Sequence, residues 1–351
     1  MTYAIRQEDR EAFKRCRRAW DLGARQRQNY EPRSSPFTGP DVGAALQAAL
    51  AVHYFPGMWE WNRTIVLPLI KRGFESSMHE QRVAAGEAGD DDQAWASASA
   101  RGHRMLTHYL QHAATVDRFT PVKLAAEFEI PIPDPRVGDR DLRGPHGEEL
   151  RFRGSIPMLV IDEADRYWIL EHRLATEAPA PLELLRLDPR AATYCWAWER
   201  FYMGMRVVGV IYNELFDDPR LYEEIDPEAA LVPAGPVVEG GHRRMYAQSS
   251  GGPGPDVKQE EAGAIRRTWV PISASEAERW GRDLALDVLE MLSVERVYPN
   301  PSPETCGGCA YRPPCIAMNE GSDVEVVLEA SYRKRPADEL HEGRRGGIRP
   351  R

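Results

Sequence analysis

The chain has 351 residues, 42% of them hydrophobic, enough for a sizeable core in one elaborated domain or two. Lys plus Arg total 45 against 54 for Asp plus Glu, so the formal net charge is −9. That excludes a surface attractive to nucleic acid throughout and confines any such contact to a local patch. Met1–Arg6 lack the apolar core of a signal peptide, and no run of about 18 apolar residues reads as a membrane span. A cytoplasmic protein without membrane contact is expected. Thiols stay reduced there, so the five cysteines read as metal ligands, reactive groups or core residues rather than a disulfide framework.

Residues 6–30 are rich in Arg and aromatics around Cys16 and read as a basic helix, followed by a polar loop with Pro32, Pro36 and Pro40. Arg15, Arg17 and Arg18 suit contact with a phosphate backbone, and Trp20 or Tyr30 would stack on bases; the competing reading is a solvated helix face. From Val42 the apolar positions Leu46, Leu50 and Tyr54 recur at four-residue steps after a cap at Asp41, so 41–54 is an amphipathic helix. The acidic stretch 86–94 reads as a connection before a helix near 95–115, where His108 and His112 at i, i+4 spacing fit a surface helix better than a metal pair. Val122 to Ile132 reads as a strand, and 149–162 with 166–172 as a hairpin around Glu163-Ala164-Asp165. A helix over about 188–204 then leads to the buried strand VVGVIYNEL. Residues 247–263 combine Gly, Pro, Ser and charge and read as a disordered loop. IRRTWVPI follows as a strand, and Ser275-x-x-Glu278 as a capping box opening a helix with Trp280, Leu284, Val288 and Leu292 on one face. Residues 334–351 read as a basic flexible tail. No P-loop or GxGxxG opens a helix, so no nucleotide site is expected.

Cys306-x-x-Cys309 places two thiols on one turn, and Cys315 follows in a Pro-bearing loop, a spacing suited to one metal centre. Cys16, beside Arg15, Arg17 and Arg18, supplies a fourth thiolate favoured by positive charge. Cys195, between Tyr194 and Trp196 in an apolar helix, reads as a small core residue. Four thiolates suit Zn2+ or an iron–sulfur cluster. Three clustered cysteines with one remote one favour the cluster over the paired arrangement usual for zinc.

Taken in order, FKRCRRAWDL, GAALQAALAVHYF, FRGSIPMLVID with RYWILEHRLAT, DPRAATYCWAWE, VVGVIYN and VYPNPSPETCGGCAYRPPC resemble the RecB-like branch of the PD-(D/E)XK nucleases, especially AddB-type subunits and CRISPR-associated iron–sulfur exonucleases. The resemblance implies an α/β restriction-endonuclease-like core, a central mixed sheet flanked by helices, in a single domain over 1–333. It also implies a [4Fe–4S] cluster on Cys16, Cys306, Cys309 and Cys315 that joins the N- and C-terminal segments.

In such nucleases a His, an Asp and a second acid hold Mg2+ or Mn2+, and a Lys assists the attacking water, because hard cations stabilise the phosphoryl transition state. By the resemblance these positions are Gln47, Pro157, Glu171 and Arg173 here, and a Q-x-x-x-Y helix contributes Arg190 and Tyr194. Glu171 and Tyr194 alone are retained. One carboxylate among arginines is a poor dication site, so a pseudonuclease is expected, associated with DNA or with protein partners of a DNA-processing or defence assembly. The alternatives are an active Mg2+- or Mn2+-dependent deoxyribonuclease whose site has migrated to Asp162, Glu163 or Asp165, and a cluster protein whose cleft binds another protein. Arg173 and Arg190 are expected either to grip phosphate or to pair internally with Glu171.

Overall fold

A computed structural model describes residues 2–33, 39–86, 90–138, 140–175, 179–216, 257–262 and 265–336. The single domain expected over 1–333 is built as two compact units, one of Met1–Pro36, Pro131–Phe152 and Ala285–Arg351, the other of Phe37–Ile130 and Arg153–Leu284.

In the larger unit, α3 (Val42–His53) begins where the sequence places it, with the Asp41 carboxylate accepting the Ala44 N–H at 2.9 Å. It packs with α4 (Arg63–Ala85) and α5 (Asp92–Val116), burying Leu46, Leu50, Ile70, Phe74, Leu106 and Tyr109 against Trp168, Leu170 and Ile211 of the sheet. Each such large apolar side chain contributes about 1.5–3 kcal/mol by leaving water. His108 is buried in α5, which corrects the expectation of a surface histidine: its face of the helix turns inward. The sheet runs β4 (Glu149–Asp162), β5 (Tyr167–Ala175), β6 (Val207–Phe216), β8 (Ile265–Pro271), β7 (Lys258–Ala262), with β3 (Phe119–Pro131) also pairing β4. Strands β4 and β5 form the expected antiparallel hairpin, and β5 and β6 run parallel. Their crossover carries α6 (Leu182–Arg186) and α7 (Pro189–Phe201).

Two expectations need correction here. Residues 258–262, read as part of a loop, form an edge strand antiparallel to β8; the Trp269 indole N–H donates to Glu260 at 3.1 Å, so backbone pairing and one cross-strand contact hold a strongly polar segment that periodicity alone does not mark. The rest of 247–263 lies outside the described residues apart from Val257. The capping box of α8 (Ala274–Leu292) is Ser273-x-x-Glu276, not Ser275-x-x-Glu278: the Ser273 N–H donates to Glu276 at 2.8 Å and the Glu276 N–H to Ser273 Oγ at 3.2 Å.

In the smaller unit, β1 (Thr2–Ile5) pairs in parallel with Glu149–Phe152. The basic helix expected over 6–30 is two helices, α1 (Gln7–Arg15) and α2 (Arg17–Gly23), broken at Cys16, whose backbone is extended at φ −162° and ψ 112°. The cysteine is both the end cap of one and the start cap of the other. The C-terminal part contributes α9 (Pro303–Gly307), α10 (Arg312–Glu320) and α11 (Val324–Ser331), and β9 (Tyr332–Lys334) pairs antiparallel with β2 (Tyr30–Pro32). Residues 337–351, most of the expected tail, lie outside the described residues.

Candidate active-site cleft and cysteine centre

Side chains alternate along β5, so Glu171 and Arg173 project from one face and His172 from the other. The Arg173 Nε donates to Glu171 Oε1 at 3.1 Å, and its Nη2 pairs with Asp188. Asp188 caps α7, with Oδ1 accepting the Arg190 N–H at 2.9 Å. Its Oδ2 also accepts the Tyr212 hydroxyl at 3.1 Å, and the Arg173 guanidinium lies 4.4 Å from the Tyr212 ring centroid. Burial pulls the Arg173 pKa down, but Glu171 and Asp188 outweigh it and the net shift is upward. A permanently charged guanidinium thus occupies the Glu171 carboxylate, and of the two expected arrangements for Arg173 internal pairing is the one adopted.

The other expected positions divide. Tyr194 is buried: its ring packs edge-on to Phe128 at 5.3 Å, and Gly154 lies under both, since a Cβ there would come within 2.5 Å of Phe128 and 3.1 Å of Tyr194. That close approach explains the glycine in FRGSIP. Arg190 lies over the Tyr194 ring at 5.7 Å. The ladder between β4 and β5 is registered over Leu159–Ile161; carried two residues further it would set Pro157 opposite Glu171, where proline offers neither a carboxylate nor an N–H. Gln47 is on the exposed face of α3 and makes no hydrogen bond to these groups among the described residues. Asp162 is consumed by the hairpin, accepting the Ala164 and Arg166 N–H groups and the Trp168 indole, each at 2.9 Å. It is an unsuitable seat for a migrated metal site. Asp188 and Tyr212 were not singled out by the sequence; an Asp-Pro pair opening a helix is a cap signature that marks the first.

The opposite face of β5 carries a buried polar network. Arg267 Nη1 pairs with Asp117 Oδ1 at 2.7 Å, with the two side chains 0% and 5% exposed. Asn213 Oδ1 accepts from Arg267, and its amide donates to Tyr109 at 3.0 Å and to His172 Nδ1 at 2.7 Å. Tyr54 hydrogen bonds to Tyr109 and Asp117. Burial raises the Asp117 pKa against the pull of Arg267, and burial, aided by Arg267, lowers that of His172 to about 3.

The family model described as the PD-(D/E)XK nuclease superfamily matches residues 7–316. The chain belongs to the PD-(D/E)XK nuclease superfamily. Comparison with curated proteins finds no match. In this superfamily member the matched span includes all five cysteines and every cleft position named above.

The four candidate ligand cysteines all lie in the smaller unit. Cys16 is buried at the α1–α2 joint, and Cys306, Cys309 and Cys315 are half-buried. Ser302 caps α9 and its carbonyl accepts the Cys306 N–H at 2.9 Å. Arg18 donates to the Cys315 carbonyl at 3.3 Å and to its Sγ at 3.5 Å, so the helix that starts at Cys16 touches the third cysteine of the C-terminal group. An all-thiol donor set with a guanidinium beside it suits an iron–sulfur cluster chemically. Among the described residues, however, no three His, Cys, Asp or Glu side chains stand close enough to hold a metal ion. Cys195 is buried, burial pushes its thiol pKa well up, and it behaves as a core residue.

The nucleic-acid residues expected near Cys16 are largely engaged internally. Trp20 is 1% exposed and packs edge-on to Phe13 at 4.9 Å, so it presents no face to a base, contrary to expectation. Arg17 pairs with Glu290 and lies over Phe13 and Tyr298; Arg10, buried, pairs with Asp287. The acids of α8 thus neutralise part of the basic stretch. Arg15 is exposed. No helix of the described residues is long and apolar enough to cross a membrane.

Proposed function

We propose that this superfamily member is a catalytically silent nuclease homologue of the RecB-like, AddB-type branch, acting through DNA association or as a scaffold in a DNA-processing or defence assembly. The observation that carries this reading is the Arg173 guanidinium held between Glu171 and Asp188: a fixed monovalent cation already pairs with the carboxylates that a dication would need. Gln47 and Pro157 add no metal ligand. Cys16, Cys306, Cys309 and Cys315 would hold a [4Fe–4S] cluster, Zn2+ being the competing occupant, and such a cluster supplies a mechanical link between residues 16 and 306–315. The test is cleavage of single- and double-stranded DNA with Mg2+ or Mn2+. No activity above that of Glu171→Ala is expected, and robust cleavage lost in that variant overturns the reading.

A further inference from the structure

A cavity of about 290 Å³ opens beside the ion-paired cleft, within the larger unit, where α6 and the start of α7 face the middle of β6, the end of β8 and the first turns of α8. Its lining includes Arg186, Asp188, Tyr212, Val270, Glu276 and Trp280. The two acids are committed elsewhere. Asp188 accepts from Arg173, Tyr212 and the α7 backbone, and Glu276 accepts from the Ser273 N–H and hydroxyl at 2.8 and 2.6 Å. The Tyr212 hydroxyl is spent as well, on Asp188 and the Leu185 carbonyl. The lining is mixed polar and apolar, and with those groups committed what it leaves for a ligand is the partly exposed Trp280, beside Val270 and Ile272, and the exposed Arg186 at the end of α6.

We infer that this cavity takes one nucleobase of a single DNA strand, its ring against Trp280, with Arg186 meeting the adjoining phosphate. The inference rests on the DNA-associated reading above. The volume lies at the lower end of the roughly 300–1,000 Å³ usual for ligand pockets, which suits one ring system rather than a larger cofactor. Stacking on an aromatic side chain accepts any base, and a guanidinium at the rim supplies a phosphate contact without a sequence requirement.

The experiment uses the full chain and a single-stranded oligothymidylate carrying one 2-aminopurine, whose fluorescence is quenched on stacking. Binding with quenching is expected. Trp280→Ala should abolish the quenching and weaken binding roughly fivefold or more, while Trp280→Phe retains both. Arg186→Ala, at an exposed position that tests the site without disturbing the core, should weaken binding and reduce the slope of log affinity against log salt by about 0.7. A strand that binds with affinity and quenching unchanged in the Trp280→Ala and Arg186→Ala variants overturns the cavity assignment and leaves DNA association standing. A wild-type chain that binds no strand overturns both.

Discussion

Arg173 and Asp188, fifteen residues apart, meet because the chain leaving β5 returns through α6 to the cap of α7, and the same guanidinium reaches back to Glu171. Removing it should leave two partly buried carboxylates facing each other. Arg173→Ala is expected to lose roughly 1–3 kcal/mol of stability in urea titrations, the cost of leaving charged groups unpaired. It should also gain Mn2+ affinity measurable by calorimetry, and a further Glu171→Ala change should remove that gain. If Arg173→Ala neither destabilises the fold nor binds Mn2+, the guanidinium is not standing in for a cation. Pro157→Asp with Arg173→Lys, combined with Gln47→His and Arg190→Gln, should give Mn2+-dependent DNA cleavage above that of the unaltered chain if the positions implied by the resemblance are the metal ligands.

The cysteine centre predicts colour. Protein purified without oxygen should be brown and hold about four irons per chain. Cys306→Ser should bleach it and lower its stability, whereas Cys195→Ser, in the buried α7 position, should leave the iron content unchanged. One zinc per chain and no visible absorbance would instead assign the site to Zn2+.

Asp117 and Arg267 form a pair with almost no solvent contact. Replacing Asp117 by Ala strands the guanidinium and should cost about 3–5 kcal/mol. The loss should be nearly the same at low and high salt, because buried pairs are weakly screened. A salt-dependent or negligible loss would mean that water reaches the pair.

Acid should destabilise the protein before its carboxylates titrate. Burial holds the pKa of His172 at about 3 and that of His108 at about 4, and that of His53 well below the ordinary 6.5. The unfolded chain takes up these protons near pH 6.5 and the folded chain does not. Stability is therefore full above that value and falls as pH drops, by about 1.4 kcal/mol per unit for each such group. Asp117, whose pKa is raised mainly by burial, acts in the opposite sense and offsets part of the histidine effect as pH falls, so the His172 variant is what separates the two. Urea midpoints at about pH 7 and 5.5 should separate clearly in the wild type and less in His172→Gln. Equal separation in both would remove His172 from the account.

Much of the sheet was legible because β-rich runs and turn residues report it directly: the 149–172 hairpin, the buried run at Val207 and the cap at Asp41 all stand as read. The features that were not legible depend on contacts between distant segments. Nothing local in Thr2–Ile5 announces a parallel partner at Glu149–Phe152, and Lys258–Ala262 is a strand only because β8 offers an edge. The 23-residue helix α4, with Pro68 inside it, went unread for the opposite reason, since its buried residues are spread over a long polar surface. In the cleft, the residue types at Gln47, Pro157 and Arg173 were readable as chemistry, but the partner that Arg173 takes was not. Asp188 is distant in the chain and looks like an ordinary helix cap until the strand brings Arg173 to it. Trp20 illustrates the converse: an aromatic amid arginines suggests stacking, and Phe13, one helix away, claims its ring.

The tripeptide Glu171-His172-Arg173 faces two separate environments in turn. On one side Glu171 and Arg173 pair with each other and with Asp188, and on the other His172 is tied through Asn213 to Arg267 and Asp117. Substitutions at 171 and 173 therefore need not disturb what anchors the strand, and substitutions at 172 need not touch the cleft. A strand built this way lets its two faces vary independently, because a change of chemistry on one leaves the anchorage on the other in place.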